Sequence, residues 1–143
     1  MIDPHLVTRK LVLILQDLEA LTDLAGKNLK TYLDSPVNEV VTERYLERTI
    51  GRMIDINFHL ITELGHPPPK DYHDSFVTLG TLEIVPEKFA RDLAFAAGLR
   101  NRLVHEYNEI DPGKVYEALQ IAVRHIPTYV KAIQDYVKTL PPA

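Results

Sequence analysis

The chain has 143 residues, of which 45% are hydrophobic and 25% are charged. This length and composition predict a single folded domain over residues 1–143 with a buried core, and they exclude a disordered chain. The absence of cysteine excludes disulfide bonds, thiolate metal ligands and a cysteine nucleophile, and it is consistent with a cytoplasmic protein. The formal net charge of −4 argues against a broad basic surface, so any contact with nucleic acid must be local.

Neither a membrane span nor a signal peptide is expected. No stretch approaches the roughly 18 consecutive apolar residues of a transmembrane helix. The first apolar run, from Leu11 to Leu15, is short and is followed by Asp17 and Glu19. The N-terminal residues before it carry no basic segment of the kind that begins a signal peptide.

The first predicted helix runs from about Pro4 to Leu33. Its apolar residues recur at alternating spacings of three and four, which indicates a helix face packed against a partner. The residues on this face are Leu11, Ile14, Leu18, Leu21, Ala25 and Tyr32.

The second predicted helix begins at Ser35, a natural N-cap, with Pro36 in the first helical position. It ends at Gly65, because the three prolines that follow cannot continue a helix. Its apolar face carries Leu46, Ile50, Met53, Leu60 and Leu64.

Two helices follow the proline run. A short helix is predicted over about residues 72–79, ending at Gly80. A longer helix begins at Pro86 and runs to about Glu106. The glycine and the proline between them are typical helix boundaries.

The last predicted helix begins at Asp111-Pro112 and ends by Leu140. We expect Pro127 to bend or break it, because the proline ring removes one backbone hydrogen bond and clashes with the preceding turn. No segment shows the alternation of a strand. The predicted fold is therefore all-α, an antiparallel four-helix bundle with one additional short helix.

A group of polar residues at the end of the fourth predicted helix can carry chemistry. Arg100, Asn101, Arg102, His105 and Tyr107 lie within eight residues. Histidine exchanges a proton near neutral pH, and arginine neutralises charge that develops on a phosphoryl oxygen. Together they suffice for RNA cleavage in which the ribose 2′-hydroxyl attacks the adjacent phosphate. Such a reaction needs no metal, because the substrate supplies the nucleophile.

Helical geometry places the side chains of Arg100 and His105 on different faces of the helix. Arg100 and His105 lie about 140° apart around an ideal helix, whereas Asn101 and His105 share a face. Either the helix frays at its end, or a second copy of the chain supplies the missing group across a two-fold axis. On spacing alone, solvated arginines and a polar helix terminus also account for these residues.

The pattern Arg100, four residues, His105, one residue, Tyr107 resembles the R-x-x-x-x-H-x-Y signature of HepT-type toxins in the HEPN superfamily. The resemblance extends over about residues 38–138. It includes the segment 48–63 with Asp55-Ile56-Asn57, the turn from 65 to 72, the restart at 84–86 and the segment 107–111.

This resemblance implies a homodimeric, metal-independent ribonuclease without a cofactor. Arg100 would stabilise the transferring phosphate, His105 would act as general acid or base, and Asn101 would orient one of them. A minimal nucleotidyltransferase antitoxin would be the partner and would attach AMP to Tyr107. The alternative is a non-catalytic helical HEPN module that binds nucleotide or the nucleotidyltransferase.

Arg44, Arg48 and Arg52 recur at four-residue spacing on the second predicted helix. They could form an edge that contacts phosphates. The alternative, which we favour from the sequence, is surface pairing with Glu43 and Glu47.

Asp55 and Asn57 lie among apolar neighbours in the same helix. Asn57 falls on the apolar face, where one buried polar group can fix helix register. Asp55 could instead hold the side chain of Arg100 or His105 in position, with Arg102 as a further supporting residue.

Two further patterns carry little functional signal. His59, Glu63, His66 and His73 have spacings that a metal site could use, but half of them fall in the proline-rich loop, and no metal is predicted. The small residues 96–98 predict close helix approach at Gly98. No glycine-rich phosphate-binding loop precedes a helix.

Overall fold

The structure is a computed structural model that describes residues 1–105 and 110–141. These ranges contain helices and no strand, which confirms the all-α class. No helix in them combines the length and apolar character needed to cross a membrane. The helices are α1 (Pro4–Ala25), α2 (Leu29–Asp34), α3 (Pro36–Glu63), α4 (Tyr72–Thr81), α5 (Glu87–His105) and α6 (Pro112–Lys138).

Helix α1 runs antiparallel to both α3 and α6. Lys10 pairs with Asp55, and Asp17, further along α1, pairs with residues earlier in α3. Near the end of α1, the Gln120 amide at the start of α6 donates to the Ala25 carbonyl. The four long helices therefore include the antiparallel neighbours that the bundle prediction requires.

The core contains one buried polar network that joins three helices. The Tyr129 hydroxyl in α6 donates to Asn57 Oδ1 in α3 at 2.7 Å, and Asn57 Nδ2 donates to Ser75 Oγ in α4 at 3.2 Å. Ser75 Oγ in turn donates to the Tyr72 carbonyl at 2.7 Å. Burial raises the pKa of Tyr129 well above its ordinary value, so its hydroxyl remains a donor. The prediction that Asn57 is buried on the α3 seam is confirmed.

The first predicted helix is wrong at its C-terminal end, because the chain forms two helices there. Helix α1 ends at Ala25, and a new helix starts after Asn28, whose side chain accepts from the Thr31 amide at 2.8 Å. The break frees the Ala25 and Lys27 carbonyls, and side chains of α6 donate to both. Tertiary contacts therefore stabilise an interruption that the apolar periodicity does not reveal.

The boundaries of α3 agree with the prediction. Ser35 is the N-cap in an extended conformation, although its side chain makes no capping hydrogen bond. At the other end Gly65 adopts a φ of 86°, a left-handed conformation that glycine tolerates best. Leu64, predicted on the apolar face, is exposed because it follows the last helical residue.

Helices α4 and α5 pack most closely at Gly80. A Cβ at this position would lie 2.7 Å from the Cβ of Ala90 and 3.1 Å from the Cα of Glu87. Helix α4 continues through Gly80 to Thr81, so this glycine is a contact residue rather than the helix stop that was predicted. The close contact fixes α5, which carries the candidate site, against α4.

The sequence predicts that Pro127 bends or breaks the last helix; α6 continues without interruption through Pro127, so a break does not occur. Pro127 itself is exposed. Ile126, Tyr129 and Val130 are buried on either side of it, and their packing holds the helix together.

Candidate active site

The candidate catalytic residues occupy the last turns of α5. Leu103 is buried there and anchors the helix end, while Asn101, Arg102 and His105 are exposed. Cationic side chains in the last turn interact favourably with the helix dipole. Tyr107, the predicted modification site, lies outside the described residues.

Arg100 is held against an aromatic ring of α4. Its guanidinium carbon lies 5.1 Å from the centre of the Tyr72 ring, within cation–π distance. Phe58 of α3 meets the same ring edge-on, with centroids 6.3 Å apart. The half-buried Arg100 therefore contacts a ring of α4 that is itself packed against α3, an arrangement that sequence spacing does not indicate.

Arg100 opens onto a surface groove of about 290 Å³ between α3 and the α4–α5 pair. We call this the arginine groove. Its lining residues are Glu47, Arg48, Gly51, Arg52, Ile54, Asp55, Tyr72 and Arg100.

Asp55, predicted to support Arg100 or His105, lines the arginine groove together with Arg100. Its carboxylate, however, pairs with Lys10 Nζ at 3.2 Å. The structure thus brings Asp55 near Arg100 and gives its charge a different partner.

Two of the three α3 arginines pair with α1 rather than with the glutamates of their own helix. Arg48 and Arg52 donate to the two carboxylate oxygens of Asp17, at 2.9 and 2.7 Å. Only Arg44 forms the predicted type of surface pair, with Glu47 at 3.3 Å. The expected pairing is therefore wrong for Arg48 and Arg52.

Asp17 is a residue whose importance sequence reasoning missed. Its side chain is only 6% exposed, and it falls at helical spacing between the buried Ile14 and Leu21. A carboxylate on a buried helix face must have cationic partners, because an unpaired buried charge is costly. The position of Asp17 on the apolar face of α1 was therefore the sequence feature that could have identified it.

Arg102 lies on a different side of α5, beside an apolar cleft of about 180 Å³ between α5 and α6. We call this the α5–α6 cleft; Phe95, Leu99, Ile121 and His125 also line it. Phe95 is 81% exposed at its rim. Gly98 nearby has nothing within 4 Å of a Cβ built on it, so the close approach predicted at Gly98 does not occur among the described residues.

Arg100 and His105 do not share either of these two clefts. His105 lines neither the arginine groove nor the α5–α6 cleft. This agrees with their separation of about 140° around a regular helix. Helix α5 is helical through His105, so fraying before that residue does not bring the two together.

Two of the four side chains with metal-like spacing have other partners. His59 Nε2 accepts from the Asp3 amide at 2.9 Å, and Glu63 pairs with the terminal amine of Met1. Within residues 1–105 and 110–141, no three histidine, aspartate or glutamate side chains come together as metal ligands would.

Comparison with known proteins gives consistent matches. The chain is 36% identical over 139 residues to the tRNA nuclease HepT of Aphanizomenon flos-aquae, covering 97% of this chain and 95% of that protein. A putative RNase of Archaeoglobus fulgidus is 29% identical over 94 residues, covering 66% of this chain and 70% of that protein.

Solved structures share the fold. The cytosolic protein YutE from Bacillus subtilis superposes with a TM-score of 0.85 at 21% identity, covering 99% and 96% of the two chains. A tri-AMPylated HEPN toxin of Shewanella oneidensis, in complex with an MNT antitoxin, superposes with a TM-score of 0.82 at 20% identity, covering 91% and 97%. The predicted HEPN-like fold is thereby confirmed.

The family described as Ribonuclease HepT-like matches residues 14–133, which include every helix from α2 to α5 and most of α1 and α6. The relative that is 36% identical over nearly the full length of both chains supports the same family assignment. The chain therefore belongs to the ribonuclease HepT-like family.

Proposed function

We propose that this chain is the toxin of a toxin–antitoxin pair and cleaves RNA as a metal-independent endoribonuclease. The observation that carries the proposal is its 36% identity, over 97% of its length, to a tRNA nuclease. By analogy with that relative we propose a transfer RNA as the substrate, and we expect the activity in the cytoplasm.

The chemistry assigns separate roles to the α5 side chains. His105 removes the proton from a ribose 2′-hydroxyl, the 2′-oxygen bonds to the adjacent phosphorus, and the bond from phosphorus to the 5′-oxygen breaks. The protonated His105 of the second copy donates a proton to that leaving oxygen. Arg100 neutralises the negative charge that develops on the phosphoryl oxygens, and Asn101, on the face of His105, orients the imidazole. The products are a 2′,3′-cyclic phosphate and a 5′-hydroxyl.

A homodimer supplies what one chain lacks. Arg100 and His105 diverge on α5, so a two-fold arrangement is needed to place Arg100 of one copy beside His105 of the other. We expect the interface to include Phe95 and the α5–α6 cleft, because an exposed apolar ring beside an apolar cleft favours burial against a second copy. Arg102, at the rim of that cleft, would then lie beside the shared site.

The antitoxin is expected to be a minimal nucleotidyltransferase that attaches AMP to Tyr107. This follows from the AMPylated HEPN toxin bound to its MNT antitoxin and from the position of Tyr107, two residues beyond His105. An added phosphodiester would pair with Arg100 and block the approach of RNA. Co-expression with a minimal nucleotidyltransferase, if one is encoded beside this chain, should add adenylyl mass to the wild-type chain but not to Tyr107→Phe.

Cleavage of transfer RNA by the purified chain in excess EDTA tests the ribonuclease directly. We expect full activity and products ending in 2′,3′-cyclic phosphate and 5′-hydroxyl. A positioned acid–base group contributes about 10²- to 10⁴-fold in rate, so His105→Ala and Arg100→Ala should each lose at least about 100-fold.

Arg124→Ala provides the matched control, since Arg124 is exposed on α6 and lines neither cleft. Dependence on magnesium, or products with 3′-hydroxyl ends, would contradict the mechanism. Binding of the nucleotidyltransferase without any cleavage would favour the non-catalytic HEPN module instead.

A further inference from the structure

We propose that the arginine groove binds a phosphodiester of the RNA strand next to the scissile one, with Arg48 and Arg52 as its ligands and Arg100 shared between the two phosphates. This inference rests on the proposed ribonuclease function and adds the surface that holds the substrate. It also accounts for how an acidic chain, with a net charge of −4, can hold a polyanion.

The first observation is an excess of positive charge. Asp17 is a single carboxylate placed between two guanidinium groups, which are both charged at any physiological pH. In residues 1–105 and 110–141, Asp17 is the only carboxylate within ion-pair distance of Arg48 or Arg52. One carboxylate cannot neutralise both, so one positive charge remains at the groove.

The two other carboxylates of the groove do not cancel this excess. Asp55 pairs with Lys10 at 3.2 Å, and Glu47 pairs with Arg44 at 3.3 Å. Arg100 adds a further charge, and the contact found for it is with the face of Tyr72. Cation–π stacking occupies the flat side of a guanidinium and leaves its N–H edges available for bidentate contact with phosphate oxygens.

The second observation is that the arginines are held in place. The side chains of Arg48 and Arg52 are 39% and 21% exposed, and both are anchored by Asp17. A side chain that is already ordered loses little conformational entropy when it binds a ligand. These arginines therefore differ from solvated surface arginines, which must be ordered on binding.

Gly51 is the third observation. It lies in the middle of α3 between Arg48 and Arg52, where glycine costs helix stability relative to alanine. A Cβ at this position would meet no atom within 4 Å, so packing within the described chain does not require glycine. A missing side chain keeps the groove open between its two arginines, which suits a bound strand.

The test measures binding separately from cleavage. The probe is a fluorescein-labelled, single-stranded 2′-O-methyl oligoribonucleotide, which cannot be cut because its 2′-oxygen is blocked. Its affinity for the full chain is measured by fluorescence anisotropy across a salt series. Arg52→Gln should weaken binding by about tenfold and lower the slope of log affinity against log salt by about one.

Three variants separate a binding role from a structural one. Arg52→Lys should retain most of the affinity, because it retains the charge and the pairing with Asp17. Asp55→Asn should tighten binding, because it removes a negative charge from the groove. Arg124→Gln, the same charge change on α6, should leave affinity and salt slope unchanged. Thermal melting confirms that each variant is folded.

The outcomes distinguish this proposal from the ribonuclease on which it rests. The proposed binding role of the groove would be wrong if Arg52→Gln kept the affinity and salt slope of the wild type, or if the wild type did not bind the probe. If the wild type then still cuts transfer RNA, the ribonuclease proposal stands without it. If the wild type binds the probe through the groove but cuts no RNA, the proposed phosphate-binding role of the groove stands and the proposed ribonuclease mechanism is wrong.

Discussion

At the scale of single residues, Asn57 shows what a buried polar group contributes to this fold. Its position among apolar neighbours made its burial predictable from the sequence, because the periodicity of α3 places it on the seam. Its partners, Ser75 and Tyr129, lie 18 and 72 residues further along the chain. No local pattern connects residues at such distances, so only the folded chain identifies the network.

We predict that Asn57→Leu lowers the free energy of unfolding by about 1–3 kcal/mol, because it removes the two buried hydrogen bonds that Asn57 makes with Tyr129 and Ser75. Urea denaturation followed by circular dichroism measures the loss. Gln16→Leu, the same type of change at an exposed position of α1, should have an effect within about 0.5 kcal/mol. Equal stability of the two variants would show that the network contributes nothing.

The candidate site was predictable in its residue types but not in its arrangement. Histidine and arginine at five-residue spacing identify the chemistry and, through helical geometry, their divergence. The contact of Arg100 with Tyr72 and the pairing of Asp17 with two arginines are tertiary. They join helices that are distant in the chain, so the arginine groove could not be assembled from spacing.

At the scale of helices, starts and stops carried by proline, glycine and capping residues were predicted well, with the exception of Gly80. Ser35-Pro36, Gly65 and Asp111-Pro112 act through their own backbone conformation, which is a local property. The break between α1 and α2 was missed for the opposite reason. The carbonyls that it frees are satisfied by Tyr116 and Gln120 of α6.

Gly51 and Gly80 both lie within helices, but of the two only Gly80 makes close contact with another helix. Gly51→Ala should raise the free energy of unfolding by about 1 kcal/mol, because alanine is the better helix former and the space is open. Gly80→Ala should instead lower it by about 1–3 kcal/mol, since its Cβ would overlap Ala90. Parallel urea titrations compare the two. A change of the same sign in both would refute this assignment.

At the scale of the whole molecule, α5 separates two different surfaces. The arginine groove, with its four charged side chains besides Arg100, lies towards α3, and the largely apolar α5–α6 cleft lies towards α6. One face suits a polyanion, and the other suits a second copy of the chain. Dimer formation and the binding of RNA in the groove can therefore be tested by separate substitutions.

Phe95→Asp should dissociate the proposed dimer, because it places a charge where an apolar ring would be buried. Sedimentation velocity at micromolar concentration should show a monomer that no longer cuts RNA. Val40→Asp, at a residue 63% exposed on α3, is the matched control and should remain dimeric. A dimeric, active Phe95→Asp protein would place the interface elsewhere.

The Tyr129–Asn57–Ser75 network also has a consequence for how the chain opens. Because α3, α4 and α6 share one set of buried hydrogen bonds, none of them can detach without exposing the polar groups of the other two. Their central backbone amides should therefore exchange with deuterium only through global unfolding. Helix α2, with six residues, can open locally, and its amides should exchange orders of magnitude faster.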